Sequence, residues 1–207
     1  MEKENVHRIY HDTAYGFPIE DDNELFERLI LEINQAGLSW TTILNKQKNF
    51  RKAYHKFSIK KVAAYDEMEI KRLLNDAGII RNRLKINAAI ENAKTLVLVL
   101  GVSNKGLGAA GLSLEQEIER VKNIVAEALK NNTRIISIHT GGTARRGEAS
   151  NQVIELCVPV SNVVIVVEGG NNDGFFTSLC EKNNVPLVQV PSIAEAGNVL
   201  MSLFVAQ

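Results

Sequence analysis

The spacing of apolar residues changes near residue 94, and this change limits the folds that the chain can adopt. From residue 23 to about residue 92, apolar side chains recur every three or four positions, which predicts a series of amphipathic helices. After Lys94 they come in short runs, namely TLVLVL, RIISIH, NVVIVV and PLVQV. Such runs are typical of strands that are buried on both faces. The sequence therefore predicts a helical part, residues 1–94, followed by an α/β part, residues 95–207.

Helical segments separate these runs, so the second part alternates strand and helix along its length. They are SLEQEIERVKNIVAEALKNN, GEASNQVIELCVPV and GFFTSLCEKNN, and the segment SIAEAGNVLMSLFVA would close the chain. This order predicts about four parallel strands joined by right-handed crossovers. The predicted fold class is α plus α/β, in which the helical part precedes a small three-layer α/β part with a parallel sheet.

Capping residues predict where several helices of the first part begin and end. The expected N-caps are Asp21 or Asp22 and Ser58, since short polar side chains accept hydrogen bonds from the first amides of a helix. A further segment is expected to start at Asp66. The segment that starts at Asp66 is expected to end at Gly78, as a left-handed C′ glycine. A tight turn and a new helix from around Ile80 should follow.

The composition excludes several functional classes. The chain has 24 basic and 24 acidic residues, and 45% of its residues are hydrophobic, as is usual for a soluble globular protein. Its two cysteines have neither disulfide-framework nor metal-site spacing, which fits a reducing cytoplasm. The segment MEKENVHRIY is not a signal peptide, and the longest apolar run, residues 96–100, is too short to span a membrane. We therefore expect a cytoplasmic location and no membrane partner.

The first part contains a cluster of basic residues, and no acidic residue lies between Glu32 and Asp66. The basic cluster comprises Lys46, Lys48, Arg51, Lys52, Lys56, Lys60 and Lys61. One interpretation is a solvated helix face. The other is a surface that binds an anionic polymer such as nucleic acid.

Four motifs occur together within residues 10–94. They are YHD…YG.P..DD, LE..QAGLSW, IL.K…FR.A and LL.D.GIIRNR.KI. Any one of them would be weak evidence, but together they resemble the DNA-3-methyladenine glycosylase I family over a little under half of the chain. The resemblance implies a helix-hairpin-helix enzyme of base excision repair. Such an enzyme hydrolyses the N-glycosidic bond of 3-methyladenine in alkylated double-stranded DNA, and no cofactor is expected.

The resemblance also implies a base-binding site. Glu32 matches the glutamate that recognises the flipped base by hydrogen bonds, and Tyr10 and Trp40 match aromatic residues that stack on it. Tyr15 stands where the family usually has tryptophan. A base must leave the duplex to be reached, and a cationic methylated base favours a carboxylate and electron-rich rings. Read without the resemblance, Glu32 would be a helix-surface residue and Trp40 a core anchor.

The segment LLNDAGIIRNRLKI suggests a contact with the DNA backbone. Backbone amides after the turn at Gly78 could hold a phosphate, and Arg81, Arg83 and Lys85 would add positive charge. As a bare pattern, a helix-turn-helix corner with glycine is common. The resemblance implies that this corner is the family's helix-hairpin-helix.

The sequence departs from the family in two respects. The family's structural zinc site takes a cysteine near the N-terminus, the histidine of the YHD motif, and a distal histidine and cysteine. Of these four ligands only His11 has a counterpart, and one ligand cannot hold a structural zinc, so no metal is expected. Nothing after residue 94 resembles the family's second half. The helical domain is therefore expected to be incomplete, and excision to be weak or absent.

Residues 95–207 resemble an uncharacterised bacterial α/β domain of unknown function, through segments such as GGTARRGEAS and EGGNNDGFF. That family begins with one more strand-helix unit, which this chain lacks. The chain therefore reads as a fusion of two truncated domains near Ala93 and Lys94.

Three glycine-rich segments, GVSNKGLGAAG, HTGGTARRGE and EGGNNDG, each follow a predicted strand. Loops of this kind gather at the carboxyl edge of a parallel sheet, where ligands bind. The candidate ligand residues are Gly101, Gly106, Gly141, Gly142, Arg145, Arg146 and Asp173. Exposed amides and arginines would suit a small anion, although the glycines could equally serve tight turns. His139 is a catalytic candidate or a packed strand-end residue, and Cys157 and Cys180 are expected in the core.

Two functional classes remain open. The first is an enzyme, an adenine-lesion DNA glycosylase. The second is a non-enzymatic binding module, in which the α/β part binds a small anion or a protein and the helical part is a docking remnant. The first requires Glu32, Tyr10 and Trp40 to surround one cavity, whereas the second leaves them scattered or blocked.

Overall fold

The computed structural model describes residues 6–205, so residues 1–5 of the N-terminal segment discussed above and residues 206–207 lie outside the described residues. Contacts divide the chain into two compact units between Lys94 and Thr95. The helices of the helical unit are α1 (Val6–Thr13), α2 (Asp22–Gln35), α3 (Trp40–Ala53), α4 (Ile59–Ala63), α5 (Glu67–Asn75) and α6 (Arg83–Lys94). Together with the sheet of the second unit, they confirm the class α plus α/β.

One of the predicted N-caps, Asp21, is confirmed, and Asp66 is also an N-cap, at the predicted start of its helix. The Asp21 side chain accepts a hydrogen bond from the Glu24 amide at 2.9 Å, and Asp66 accepts from the amides of residues 68 and 69. Ser58 precedes α4, but its hydroxyl makes no capping bond. The first amide of α4, that of Ile59, instead donates to the Asn23 side chain at 3.1 Å. This cap comes from a residue on another helix.

The predicted boundary at Gly78 was wrong. Helix α5 ends at Asn75, and Gly78 is not among the glycines with positive φ. Gly78 instead fills a narrow space, since a Cβ there would lie 2.9 Å from Asp76 Oδ1. Helix α6 begins at Arg83 rather than near Ile80 because Asn82 accepts the hydrogen bonds of its first turn.

A strained turn closes the core of the helical unit. Residues His55, Lys56 and Phe57 all have positive φ, which costs non-glycine residues about 1–3 kcal/mol each. Surrounding contacts hold the turn in place. His55 Nδ1 lies 2.6 Å from the Tyr65 hydroxyl, and the fully buried Phe57 ring stacks on Tyr54 with centroids 5.5 Å apart.

The α/β unit contains one sheet with the strand order β1-β2-β3-β4, in which every neighbouring pair is parallel. The strands are β1 (Thr95–Val99), β2 (Arg134–His139), β3 (Val163–Val167) and β4 (Leu187–Val190). The helices are α7 (Asn104–Ala110), α8 (Leu114–Lys130), α9 (Glu148–Cys157), α10 (Phe175–Lys182) and α11 (Ile193–Val205). The four predicted parallel strands are confirmed in number and position.

The sheet is covered on both faces, as its apolar strands predict. Val164 and Val166 of β3 pack in one core with residues of α8, α9 and α10. Their neighbours Val163 and Ile165 pack in a second core with α11. When strands follow one another in sequential order, crossovers of one hand leave their helices on the same face. The opposite face is then left to a helix outside these crossovers, and α11, which follows the last strand, packs there.

Candidate functional site

The aromatic residues singled out in the sequence lie together in the helical unit. Tyr10 of α1 has its ring centroid 5.3 Å from that of Trp40 and 6.2 Å from that of Tyr15. Gly37 explains how Trp40 reaches this position. With φ of 79°, Gly37 turns the chain after α2, and Ser39 then caps α3, whose first residue is Trp40.

Arg28 of α2 holds this aromatic cluster in place, and the motif analysis missed it. Its guanidinium carbon lies 4.8 Å from the centroid of the Tyr10 ring. It also donates hydrogen bonds to the Tyr10 hydroxyl and to the Ala14 carbonyl. Arg28 therefore joins α1 and the turn after it to α2. Its position one helical turn before Glu32 was the signal that could have identified it.

Glu32 lies on the exposed side of α2, one turn after Arg28. Leu25, Leu29, Glu32 and Ala36 follow one another at helical spacing and are all exposed, whereas Ile30 on the opposite side is fully buried. No hydrogen bond or ion pair to the Glu32 carboxylate occurs among residues 6–205. The carboxylate is therefore available to a ligand, although this side of α2 is open rather than enclosed.

The predicted DNA-backbone residues lie on and beside the loop between α5 and α6. Gly78, Arg81, Arg83 and Lys85 are close together in the sequence. In the structure they have different surroundings. Lys46 and Asn49 of α3 donate to the carbonyl of Gly78, with N–O distances of 3.2 and 3.3 Å. The loop is thus fixed to α3, and the Lys46 ammonium group is already hydrogen-bonded within the protein.

Two of the basic residues at this loop, Arg83 and Lys85, also bind groups within the protein. Arg83 makes a bidentate ion pair with Glu67, with N–O distances of 2.9 and 3.1 Å. Lys85 donates to the carbonyls of Asn34 and Ala36, and so caps the carboxyl end of α2. Arg81 is exposed and has no charged partner in the described part of the chain.

A buried carboxylate, Glu27, was not predicted. It accepts hydrogen bonds from Gln47 Nε2 at 2.6 Å and from Arg51 Nε at 2.7 and 2.8 Å, and this pairing raises the pKa of the Arg51 guanidinium. It contributes to an open cavity of about 710 Å³, which is lined by Asp21, Asn23, Glu24, Glu27, Arg51, Lys52 and Lys56. This cavity includes none of the predicted base-binding residues.

In the α/β unit, Arg146 is committed to the protein itself. It pairs with both carboxylate oxygens of Asp173 at 3.0 Å, donates to Gly170 O and Asn151 Oδ1, and lies 4.8 Å from the centroid of the Phe175 ring. The pairing lowers the pKa of the Asp173 carboxyl. Because these contacts occupy the guanidinium, Arg146 is not available to an anion.

The glycines of the predicted ligand loops bring backbone and side chains close together. A Cβ on Gly141 would lie 2.0 Å from Arg145 Cγ, and one on Gly101 would lie 3.4 Å from Arg145 Cβ. A Cβ on Gly142 would likewise lie 3.4 Å from the carbonyl oxygen of Glu168. Gly106 lies within α7 rather than in a loop. The observations therefore favour the packing role of these glycines, and ligand binding here stays a prediction.

His139 and the two cysteines are packed in the α/β unit. His139 is fully buried, and its ring nitrogens lie 3.0 Å from Leu100 O and 3.1 Å from Gly142 O. The ring thus bridges the segments that follow β1 and β2. Cys157 and Cys180 are buried and unpaired, and burial raises the pKa of the Cys157 thiol to about 11. Such thiols are poor nucleophiles at neutral pH.

Two features concern metals and membranes. His11 is exposed and lies 3.0 Å from Asp12 Oδ1, and across residues 6–205 no three His, Cys, Asp or Glu side chains are grouped as metal ligands. Within the same residues, no helix has both the length and the apolar character that a membrane crossing requires.

A family model described as "Domain of unknown function (DUF6305)" matches residues 45–204, most of the chain. The chain belongs to this family. The match covers the predicted α/β domain of unknown function, but it begins inside α3 and so includes part of the helical unit. The DUF6305 match and the glycosylase motifs therefore overlap in the sequence between residues 45 and 94.

Curated relatives confirm the partial resemblance to DNA-3-methyladenine glycosylase I. The chain is 47% identical over 94 residues to DNA-3-methyladenine glycosylase 1 of Escherichia coli, covering 45% of this chain and 50% of the relative. It is 40% identical over 92 residues to the Haemophilus influenzae enzyme, with 44% and 50% coverage. This DUF6305 chain thus spans about half the length of the curated relatives that it matches.

Solved structures of the same enzyme are also similar to this chain. A crystal structure of 3-methyladenine DNA glycosylase I is 36% identical, with a TM-score of 0.43 and coverage of 58% of this chain and 62% of that chain. The Staphylococcus aureus enzyme, studied for 3-methyladenine recognition, is 38% identical, with a TM-score of 0.43 and coverage of 44% and 49%.

Proposed function

We propose that the helical unit binds alkylated double-stranded DNA and excises 3-methyladenine. The observation that carries the proposal is the cluster of Tyr10, Tyr15 and Trp40, which Arg28 joins to α2 one helical turn before Glu32. The curated relatives that match this chain over about 94 residues are glycosylases of this kind. The proposal comprises two domains, residues 1–94 as an incomplete glycosylase domain and residues 95–207 as an α/β domain.

The proposed chemistry needs few protein groups. A flipped base would stack on Tyr10 and Trp40, which offsets part of the cost of unstacking it from the duplex. Methylation at N3 makes the adenine cationic, so the Glu32 carboxylate and the ring faces select it over neutral bases. Water then adds to the sugar C1′ while the C1′–N9 bond breaks, and the proton that the water loses passes to solvent. The electron pair of that bond remains on the base, which leaves as a neutral molecule.

The loop between α5 and α6 is proposed as a helix-hairpin-helix that contacts the DNA backbone. Arg81 is its available cation, and the amides of Ile80 and Arg81 donate no hydrogen bond within the described residues. Arg83 and Lys85 would have to give up Glu67 and the α2 carbonyls to reach a phosphate. We therefore expect low affinity. Arg81→Ala should reduce the slope of log K against log salt by about 1.

Activity is expected to be weak because the chain spans only half of its relatives. Base flipping requires the pocket and the DNA-binding hairpin to be held rigidly, and a misplacement of about 1 Å costs roughly 100-fold in rate. Glu32 is exposed on α2, so water is not excluded from it. We also infer a cytoplasmic protein, in keeping with a DNA substrate and the unpaired cysteines.

The test measures release of free 3-methyladenine from alkylated duplex DNA. Glu32→Gln keeps the shape but removes the charge, and loss of a hydrogen bond to a charged group costs about 1.5–3 kcal/mol, so release should fall roughly ten- to a hundredfold. Glu24→Gln is the matched control, because Glu24 is an exposed glutamate of the same helix. Equal release by both variants would refute the role of Glu32.

A further inference from the structure

Three lysines of the helical unit form one exposed basic surface. Lys48 and Lys52 are four residues apart on α3, which makes their side chains neighbours on one side of the helix. Lys52 and Lys56 line the same cavity. All three are exposed, and none of them makes an ion pair or a side-chain hydrogen bond within residues 6–205. This lysine surface comprises Lys48, Lys52 and Lys56.

Other members of the basic cluster have partners within the protein. Lys46 donates to the carbonyls of Ala77 and Gly78, and Arg51 donates to the buried carboxylate of Glu27. These two cations stabilise the fold. The structure therefore separates them from the lysine surface, whose charges have no role in holding the described residues together.

Helix α8 shows how a solvated face of this chain is built. Its cations Arg120, Lys122 and Lys130 each lie near a glutamate three residues earlier, with N–O distances of 2.7, 3.9 and 3.5 Å. Helix α3 has the sequence WTTILNKQKNFRKA, which contains no acidic residue. Its lysines therefore cannot be paired in the same way along the helix. Clustered positive charge without local compensation is typical of a surface that binds a polyanion.

The position of Lys56 has a cost in backbone strain. Its φ of 56° lies in the left-handed region, which glycine adopts readily and residues with a Cβ do not. In the same turn, His55 is held by the Tyr65 hydroxyl and Phe57 is fully buried. Lys56 is exposed, so no packing of its own side chain explains why a lysine stands there. Strain of this kind is concentrated at functional positions.

Helix α3 connects the lysine surface to both parts of the proposed DNA site. Trp40 of the aromatic cluster is its first residue, and Asn49 donates to the Gly78 carbonyl in the loop between α5 and α6. From the helical rise, Lys48 and Lys52 lie about 12 and 18 Å along the helix from Trp40. One strand of DNA carries a phosphate every 3.4 Å or so, which places both lysines within about five base pairs of a base at the cluster.

The charges of the cavity distinguish an extended anion from a small one. Three acidic and three basic residues line the cavity, so its interior offers no excess of positive charge to a small anion. Lys48 is not one of the lining residues and extends the row of lysines beyond the cavity. Uncompensated charge therefore follows the outside of α3, where it suits a polymer that crosses several lysines.

We propose that the lysine surface binds the phosphate backbone of duplex DNA, as a second contact beside the loop between α5 and α6. The ammonium groups replace counterions along the backbone. They read no bases, so this contact is independent of sequence and of damage. The inference deepens the proposed function and rests on it for the DNA substrate, but binding of undamaged DNA measures it without any excision.

The experiment measures binding of the full-length chain to a short, undamaged, fluorescein-labelled duplex by fluorescence anisotropy over a series of salt concentrations. Lys48→Gln with Lys52→Gln should lower the affinity roughly tenfold at about 0.1 M salt and reduce the slope of log K against log salt by about 1.8, since each phosphate contact contributes about 0.9. Lys71→Gln with Lys182→Gln is the matched control. It removes the same charge from exposed residues of α5 and α10 and should leave both quantities unchanged.

A third variant separates DNA binding from folding. Lys56→Gly removes a charge and also relieves the left-handed conformation, so the urea midpoint of tryptophan fluorescence should rise. The affinity for DNA should nevertheless fall about threefold, with a decrease of about 0.9 in the salt slope. A loss of affinity in a variant of higher stability cannot result from unfolding.

Several results would overturn the inference. They are no measurable binding of the wild-type chain at low salt, equal affinities of the wild type and the α3 double variant, and an equal loss in the control. Binding of polyglutamate as tightly as DNA through the same lysines would identify an acidic protein segment as the partner and would overturn it as well.

The inference and the proposed function can fail separately. If the lysine variants weaken DNA binding but the wild-type chain releases no 3-methyladenine, the inference stands and the proposed function is refuted. If the wild-type chain releases 3-methyladenine but the lysine variants bind DNA as it does, the inference alone is refuted.

Discussion

Replacing Asp173 by alanine would leave the Arg146 guanidinium without its counter-charge. The Arg146 side chain is only 11% exposed, whereas that of Asp173 is 59% exposed. The variant loses two hydrogen bonds to Arg146 and the cap on the Phe175 amide. The bonds from Arg146 to Gly170 O and to the Asn151 side chain remain.

The magnitude lies between two limits. Breaking a buried ion pair costs about 3–5 kcal/mol, and breaking an exposed pair about 0.2–1 kcal/mol. Asp173 is largely solvated, so the pair belongs nearer the lower limit, but the guanidinium that remains is buried. Loss of the cap adds roughly 1 kcal/mol. We expect Asp173→Ala to destabilise the α/β unit by about 2 kcal/mol and Asp173→Asn, which retains the amide-capping oxygen, by about 1 kcal/mol.

The positions of the cysteines and of the tryptophan allow unfolding of the α/β unit to be measured separately from that of the helical unit. Both cysteines are buried in the α/β unit, whereas the tryptophan and all four tyrosines lie before residue 95. Thiol labelling against urea concentration therefore reports unfolding of the α/β unit, and tryptophan fluorescence that of the helical unit. Asp173→Ala should shift the labelling midpoint to lower urea.

The pH dependence has a defined sign. Because Arg146 lowers the pKa of the folded-state Asp173 carboxyl, the stabilisation is complete above the unfolded value of about 4 and is lost as the pH falls through the folded value. The difference between wild type and Asp173→Asn should narrow below about pH 4. An unchanged labelling midpoint in Asp173→Ala, or protection of the wild-type thiols by added phosphate, would refute a purely structural role for this pair.

Three further predictions concern packing, capping and metal binding. Gly170→Ala should destabilise the α/β unit by about 1–3 kcal/mol, because a Cβ would lie 2.6 Å from His139 Cδ2. Gly197→Ala, inside α11 with open space around it, should instead stabilise the unit by about 0.5–1 kcal/mol. The midpoint of thiol labelling in urea should therefore shift in opposite directions for the two variants. Lys85→Met should destabilise the helical unit by about 1 kcal/mol, seen as an earlier loss of tryptophan fluorescence in urea, since it leaves the carbonyls at the end of α2 without their cap. Elemental analysis should find no stoichiometric zinc, and zinc lost on His11→Ala would contradict this.

Local sequence was sufficient for the element types. The change of apolar period at residue 94 predicted helices before it and four parallel strands after it, as observed. Asp21 was identified as a possible cap because an N-cap bonds an amide two or three residues away. The covering of both sheet faces also followed, since every residue of β3 is apolar. All of these features depend on residues that are close together in the chain.

Local sequence was insufficient where a distant segment supplies the partner. The amide of Ile59 is capped by Asn23 rather than by the neighbouring Ser58. Gly78 was expected to be a helix terminator, but its role is set by the close approach of Asn49 of α3, whose Cβ would lie 3.2 Å from a Cβ at Gly78. In both cases the local signal was real but did not decide the outcome, because the tertiary contact came from elsewhere.

The candidate sites divide in the same way. Glu32, Tyr10 and Trp40 were identified through the resemblance of their motifs to the glycosylase I family. Their surroundings were decided by tertiary structure, which leaves Glu32 on the exposed side of α2 and places Arg28 against Tyr10. Arg146, one of the two arginines expected to bind an anion, is likewise paired with a carboxylate 27 residues further along the chain. A sequence shows which charges and rings are available, but solvation and pairing depend on which segments meet in three dimensions, and only the folded chain determines that.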